Sequence, residues 1–101
     1  MIKQQDIIDK ANEDFVKFKA RQLHLGKEKI FQQSEKINLA KKVRRFLTDS
    51  TNIFDNLISH QLIDMENVYD VFYKYYKEMQ KSTDKIDIED LFMTVINNYQ
   101  I

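Results

Sequence analysis

Apolar residues recur along most of the chain at the three- and four-residue intervals of amphipathic helices, and no segment alternates convincingly like a strand. The first helical segment spans about residues 4–25, and Gly26 follows where a C-cap glycine belongs. Its predicted inward stripe is Ile8, Ala11, Phe15, Phe18 and Leu25, with Gln22 as a polar interruption. The pattern therefore predicts a long first helix that ends at Gly26.

A second helix is predicted over about residues 29–48 by the same spacing. Ser34 could cap an internal restart, which would kink this helix. The positions expected to face inward are Ile30, Ile37, Ala40, Val43 and Leu47.

Cap-forming residues predict three shorter helices in the second half of the chain. Ser50 or Asn52 would start the third helix, and Asp64 would start a fourth over about 65–80. Asp87 would begin the last helix. The apolar positions expected inside are Phe54, Leu57 and Ile58, then Val68, Phe72, Tyr75 or Tyr76 and Met79, then Leu91, Val95 and Tyr99.

Composition narrows the fold class further. The chain has 101 residues, no Pro and a single Gly, which favours helices on short polar connections. We predict one helical domain over residues 1–101, an all-α bundle of four or five short amphipathic helices, mostly antiparallel. The absence of Cys suits a reducing compartment, and no apolar run is long enough for a membrane span, so a cytoplasmic protein is expected.

Charge is strongly segregated although the formal net charge is zero. Residues 17–45 carry ten cations against two acids, whereas residues 46–101 carry ten acids against four cations. Three interpretations remain open: the charges pair internally, the cations bind phosphates, or they bind a protein of complementary charge.

The segment 39–47, LAKKVRRFL, concentrates these cations on one side of a helix. At about 100° per residue, its apolar positions fall in one arc and its cations on the other side. The candidate partner-binding cations are Lys17, Arg21, Lys41, Lys42, Arg44 and Arg45.

Two tyrosines complete the predicted binding surface. Tyr69 and Tyr73 lie four residues apart and off the apolar stripe of their helix, so we expect them to be exposed. Exposed Tyr and Arg side chains are frequent anchors of protein interfaces.

Specific site chemistry is sparse in this sequence. His24 and His60 lie at predicted helix ends without metal-ligand spacing, and neighbouring acids such as Glu89 and Asp90 are explained by capping. The sequence therefore predicts no enzyme, no metal site and no cofactor. It also lacks a helix-turn-helix spacing with a glycine turn and a basic tail, which weakens the case for nucleic acid.

In length, helical make-up and lack of cysteine, the chain resembles small accessory proteins of phages or mobile elements of Gram-positive bacteria, among them anti-CRISPR-type inhibitors. It is also similar in length to the bacteriocin immunity proteins, which form four-helix bundles. The resemblance rests on overall make-up and on no motif. It implies a non-enzymatic protein that binds a host macromolecule and alters its activity.

The preferred interpretation is a protein-binding module, such as an inhibitor of a host macromolecular complex, whose basic helical surface meets an acidic or nucleoprotein surface. The alternative is a nucleic-acid-binding regulator that uses the same cations. A third interpretation is a homodimer that buries a tyrosine-bearing helix face. Membrane binding is not expected.

Overall fold

Helices account for all the regular structure in the described part of the chain. The computed structural model describes residues 2–24 and 30–99, with side chains over 2–23 and 33–99. The helices are α1 (Gln4–His24), α2 (Ile30–Thr48), α3 (Asn56–Asp64), α4 (Val68–Gln80) and α5 (Ile88–Asn98). The prediction of an all-α bundle is confirmed. The predicted cap at Gly26 and the inward positions Leu25 and Ile30 fall outside the described residues and side chains.

The start of α3 differs from the prediction. Asp55, rather than Ser50 or Asn52, is its N-cap, and the Asp55 carboxylate accepts a hydrogen bond from the Ile58 amide at 2.8 Å. Asn52 instead donates its side-chain amide to the Phe46 carbonyl at 3.0 Å and thereby stabilises the end of α2. The predicted cap residues are thus used in the connection and do not begin the helix.

The start of α4 is also later than predicted. Asp64 is the last residue of α3, and α4 begins at Val68 after Asn67, which adopts a left-handed conformation at φ 53° and ψ 50°. Asn tolerates this conformation better than most residues. Met65, one of the most deeply buried side chains, lies in the connection. Because Met65 is buried between the two helices, α4 starts later than the cap residues predict. This boundary depends on tertiary packing, which the pattern of cap residues does not contain.

A single buried cluster joins the helices. On α1 the inward position is Ile7, and Ile8 is only half-buried, so the predicted stripe is rotated by one residue at this end. Gln22 completes the stripe as a buried polar residue, and its Oε1 atom has no hydrogen-bond partner among the described residues. The other buried apolar residues are Ala11, Phe15, Phe18, Leu39, Ala40, Val43, Leu47, Leu62, Met65, Val68, Tyr69, Phe72, Leu91, Phe92, Val95 and Ile96.

The last helix begins where the sequence predicts. Asp87 is the N-cap residue of α5, although its side chain makes no capping hydrogen bond. Leu91 and Val95 are buried as expected, and Phe92 joins them. Within the described residues, no helix is both long enough and apolar enough to span a bilayer.

Candidate functional site

Tyr69 is not part of an exposed surface, so that prediction is wrong. Its side chain is 2% exposed, and its hydroxyl donates a hydrogen bond to the Ala11 carbonyl at 2.5 Å. The ring packs edge-to-face against Phe15, with centroids 5.7 Å apart, and lies 5.6 Å from Phe18. Because α4 packs against both α1 and α2, it buries a wider arc than one apolar stripe. Tyr69 is therefore a core residue.

Burial raises the pKa of Tyr69 well above its usual value near 10, chiefly because the phenolate would be desolvated and secondarily because of the Asp14 charge. Below pH 10 both folded and unfolded forms keep the proton, so this group adds no pH dependence. Above pH 10 the unfolded chain releases the proton while the folded chain retains it. Stability must therefore fall as pH rises above 10.

Tyr69→Phe is expected to remove part of this alkaline loss of stability. At neutral pH the variant should be less stable by about 1 kcal/mol because the hydrogen bond to Ala11 is lost. Urea unfolding across the alkaline range measures both effects. Tyr75→Phe, a half-buried tyrosine of the same helix, is the control. An unchanged alkaline slope in Tyr69→Phe would contradict the assignment.

Tyr73 is half-buried and lies in a polar cluster between α2 and α4, so the expected free exposure is corrected here as well. Its hydroxyl donates to Glu35 at 3.3 Å, and Glu35 also forms an ion pair with Lys77. The ammonium of Lys36 lies 5.2 Å from the Tyr73 ring centroid. Partial burial, followed by the Glu35 charge, raises the pKa of Tyr73. The pKa of Lys77 is raised as well, in this case because the ammonium group donates a hydrogen bond to Glu35.

Two of the predicted binding cations, Arg21 and Arg44, make contacts within the bundle. Arg21 lies 3.1 Å from the Asp70 carboxylate, which joins α1 to α4. The guanidinium of Arg44 lies over the Phe15 ring at 4.2 Å, which joins α2 to α1. The interpretation that charges pair internally therefore holds for Arg21, whereas Arg44 makes a cation–π contact inside the bundle.

Lys41, Lys42 and Arg45 form an exposed set on the outer side of α2, here called the basic face. Among the described residues, none of the three has an ion-pair partner within 4 Å. They lie opposite the buried side of the same helix, where Val43 is fully buried. Of the apolar residues predicted to face the core in LAKKVRRFL, Leu39, Ala40, Val43 and Leu47 are buried and Phe46 is half-buried, while three of the four cations are exposed.

Lys17 is exposed as well but belongs to a different surface. It lies on α1 and borders a cleft with Arg21, Asp14 and Tyr69. The structure therefore does not bring all eight predicted site residues together. It leaves the basic face on α2 and the separate cation Lys17 exposed.

Carboxylates lie beside the basic face. Lys42 and Arg45 line a cleft of about 460 Å³ together with Asp49 and Asp87. The Asp49 carboxylate accepts two hydrogen bonds from Thr51, one from the backbone amide at 2.9 Å and one from the hydroxyl at 2.8 Å. These hydrogen bonds lower the pKa of Asp49. The basic face therefore has an anionic border toward α5.

Sequence reasoning missed an exposed apolar surface next to this cleft. It consists of the exposed residues Ile53 and Met93 and the half-buried Phe54, which line one open cleft, and is here called the apolar face. Leu57 and Met93 are 71% and 49% exposed, although Leu57 was predicted to face inward. The available signal was the run Ile53-Phe54 directly before a helix cap, and a methionine off the inward stripe of α5.

Neither a metal-binding group nor similarity to known proteins indicates a function for the described chain. Within the described residues, no group of three or more His, Asp or Glu side chains is placed to hold a metal ion. Comparisons with protein-family models, with curated proteins and with solved structures found no match to this chain. A function must therefore be inferred from the chemistry of its own surface.

Proposed function

We propose that this protein is a non-enzymatic protein-binding module whose basic face docks on an acidic surface of a partner protein, as an inhibitor of a larger complex would. The observation that carries the proposal is the set of exposed cations, Lys41, Lys42 and Arg45, without ion-pair partners in the described chain. Arg21 and Arg44 contribute to the bundle itself. Apart from the separate cation Lys17, the basic face is the part of the predicted patch that makes no such contact and is open to a partner.

Charge segregation supports fast and oriented association. The basic face lies in the cation-rich region 17–45, whereas the later helices carry most of the acids. A molecule with separated charge is steered so that its positive side approaches a negative surface first. Such complementarity affects the association rate and the choice of partner more than the total affinity.

The surroundings of the basic face favour a protein over a nucleic acid. Asp49 and Asp87 share a cleft with Lys42 and Arg45, so the positive surface is short and bordered by carboxylates, which suits a local acidic patch on a protein better than the continuous negative charge of a nucleic-acid backbone. The neighbouring apolar face offers the apolar side chains that protein interfaces use. A nucleic-acid-binding regulator that uses the same cations is the rival function.

The test is an affinity pull-down from the native host with the wild-type chain and with the double variant Lys41→Glu, Lys42→Glu. The matched control is Lys74→Glu, Lys85→Glu, which makes the same change in charge at exposed positions of the acidic half. We expect the first variant to bind the recovered partner at least about tenfold more weakly, and the control to bind normally.

Recovery of the same partners at the same yield with both variants would refute the proposal. The rival function is separated by a salt titration of binding to DNA and RNA. Phosphate contacts predict a slope of about −0.9 per neutralised phosphate on double-stranded DNA in a log-log plot. Tight nucleic-acid binding with such a slope, abolished by the same double variant, would replace the proposed function by the rival one.

A further inference from the structure

Two clefts adjoin along one flank of α2, and Lys42 of the basic face lines both of them. The first cleft, of about 330 Å³, lies between α2 and α4, and its lining residues are Ser34, Glu35, Asn38, Leu39, Lys42 and Tyr76. The second is the cleft of about 460 Å³ described above, which lies between α2 and the segment that leads into α5. The two clefts together are here called the α2 groove.

The α2 residues of this groove follow a single stripe of the helix. Leu39, Lys42, Phe46 and Asp49 succeed one another at three- and four-residue steps, so they fall within an arc of roughly 80°. Leu39 in the first cleft and Phe46 in the second are seven positions apart, which is about 10 Å along the helix axis. The two clefts are therefore spaced by two turns of a helix.

Apolar side chains line each cleft, and a cation lies between them. The first cleft contains the buried Leu39 and the half-buried Tyr76, and the second contains the half-buried Ile86 and Ile88. Lys42 is exposed between the two and has no ion-pair partner within 4 Å among the described residues. The order along the groove is thus apolar, cationic and apolar.

The carboxylates of the groove lie toward its ends. Glu35, at the start of the stripe, forms an ion pair with Lys77 and is thereby neutralised. Asp49 and Asp87 lie in the second cleft, beyond Lys42 along α2. An acidic side chain is therefore attracted to the middle of the groove, where Lys42 lies, and is repelled by the carboxylates at the α5 end. The complementary element carries an acid between two apolar side chains.

A helix fits this groove better than an extended segment does. An extended segment must find partners for its own backbone N–H and C=O groups, and the described part of the chain has no strand whose edge could supply them. A helix satisfies its backbone internally, and residues separated by three, four and seven positions share one face of it. Two apolar residues seven positions apart, with an acid between them, therefore match the spacing of Leu39, Lys42 and Phe46.

We propose that the partner docks through a short acidic amphipathic helix that lies in the α2 groove, placing one apolar side chain in each cleft and a Glu or Asp between them on Lys42. This inference rests on the proposed function, because it names the part of the partner that the basic face contacts. Lys41 lines neither cleft, so it remains available to acids on the surface around that helix. Its contribution is to the association rate.

Titration of the isotope-labelled full chain with synthetic peptides, followed by NMR, tests this proposal. The matching peptide is an Ala-rich helix with two Leu residues seven positions apart and Glu at the third and fourth positions after the first Leu. One control peptide has Lys in place of Glu, and another has its second Leu moved two positions, to the opposite face of the helix. We expect amide shifts concentrated at the α2 groove, and affinity for the matching peptide at least about tenfold higher than for either control.

Variants of the chain separate the groove from the charge. Asn38→Trp fills the first cleft without changing any charge, and Asn12→Trp makes the same substitution at an exposed Asn of α1. We expect the Asn38 variant to bind the matching peptide at least about tenfold more weakly and the Asn12 variant to bind it normally. Lys42→Glu should also weaken that binding and should gain affinity for the Lys-containing peptide. Circular dichroism confirms that the variants are folded.

Equal affinity for the three peptides, or shifts outside the α2 groove, would overturn the proposal. The pull-down from the native host separates its failure from that of the proposed function. If Asn38→Trp recovers the partner at wild-type yield while Lys41→Glu, Lys42→Glu loses it, the basic face binds the partner without a helix in the groove. If neither variant loses the partner, the proposed function fails, and the docking helix fails with it.

Discussion

Replacing Phe72 with Ala is expected to lower the free energy of unfolding by about 3–5 kcal/mol. The Phe72 side chain is fully buried at the centre of α4, and its ring stacks on Phe92 of α5 at 6.4 Å between centroids. Its removal leaves a cavity between helices that cannot close without moving one of them. Domains of this size are stable by only about 5–15 kcal/mol, so the loss is a large share of the total. Urea denaturation followed by circular dichroism measures it.

Tyr76→Ala on the same helix is the matched control for this effect. Tyr76 is half-buried and borders an open cleft beside Lys42, so solvent can enter the space that its removal creates. We expect a loss of less than about 2 kcal/mol. Equal losses in the two variants would show that helix propensity, and not cavity formation, dominates at these positions.

Helical content could be predicted because it depends on local periodicity. The inward positions Ala11, Phe15 and Phe18 follow from spacing alone, and all three are buried. The boundary between α3 and α4 could not be predicted in the same way. Asp64 is a good cap residue by type, but the burial of Met65 in the connection postpones the next helix to Val68. Packing between distant segments, which no local pattern contains, determines that boundary.

The candidate site was predictable only in part, for a related reason. The sequence shows which cations lie on the outer side of a helix, but it does not show which of them contact residues of a neighbouring helix. Arg21 meets Asp70 across 49 residues of sequence, and Arg44 meets the Phe15 ring on another helix. Tyr69 was misassigned because α4 buries more than one stripe of its surface.

The exposed position of Leu57 shows the opposite error. An apolar residue in a helical pattern was predicted to face inward, yet α3 is only nine residues long and directs Ser59 and Leu62 toward the core. A helix of this length offers few positions to the interior, so some of its apolar residues remain outside. Apolar character therefore predicts burial less well in a short helix than in a long one.

Val43→Asp is expected to remove most or all of the stability of the bundle, although it changes one residue within a run of cations. Val43 is 0% exposed on the inner side of α2, so the new carboxylate would be buried far from the exposed lysines and arginines beside it in sequence. An unpaired buried charge costs several kcal/mol, which approaches the whole stability of a domain of this size. Thermal unfolding followed by circular dichroism measures the effect.

Two further substitutions separate the effect of the new charge from that of lost side-chain volume, and the buried side of α2 from its exposed side. Val43→Ala removes volume without adding charge and should cost about 1–3 kcal/mol. Lys41→Asp adds the same carboxylate two residues away on the outer side of α2 and should change stability by no more than about 0.5 kcal/mol. If Lys41→Asp were as damaging as Val43→Asp, the cations of the basic face would be needed by the fold. If it is harmless, the fold leaves Lys41 free, and an exposed cation that the bundle does not need is available to a partner.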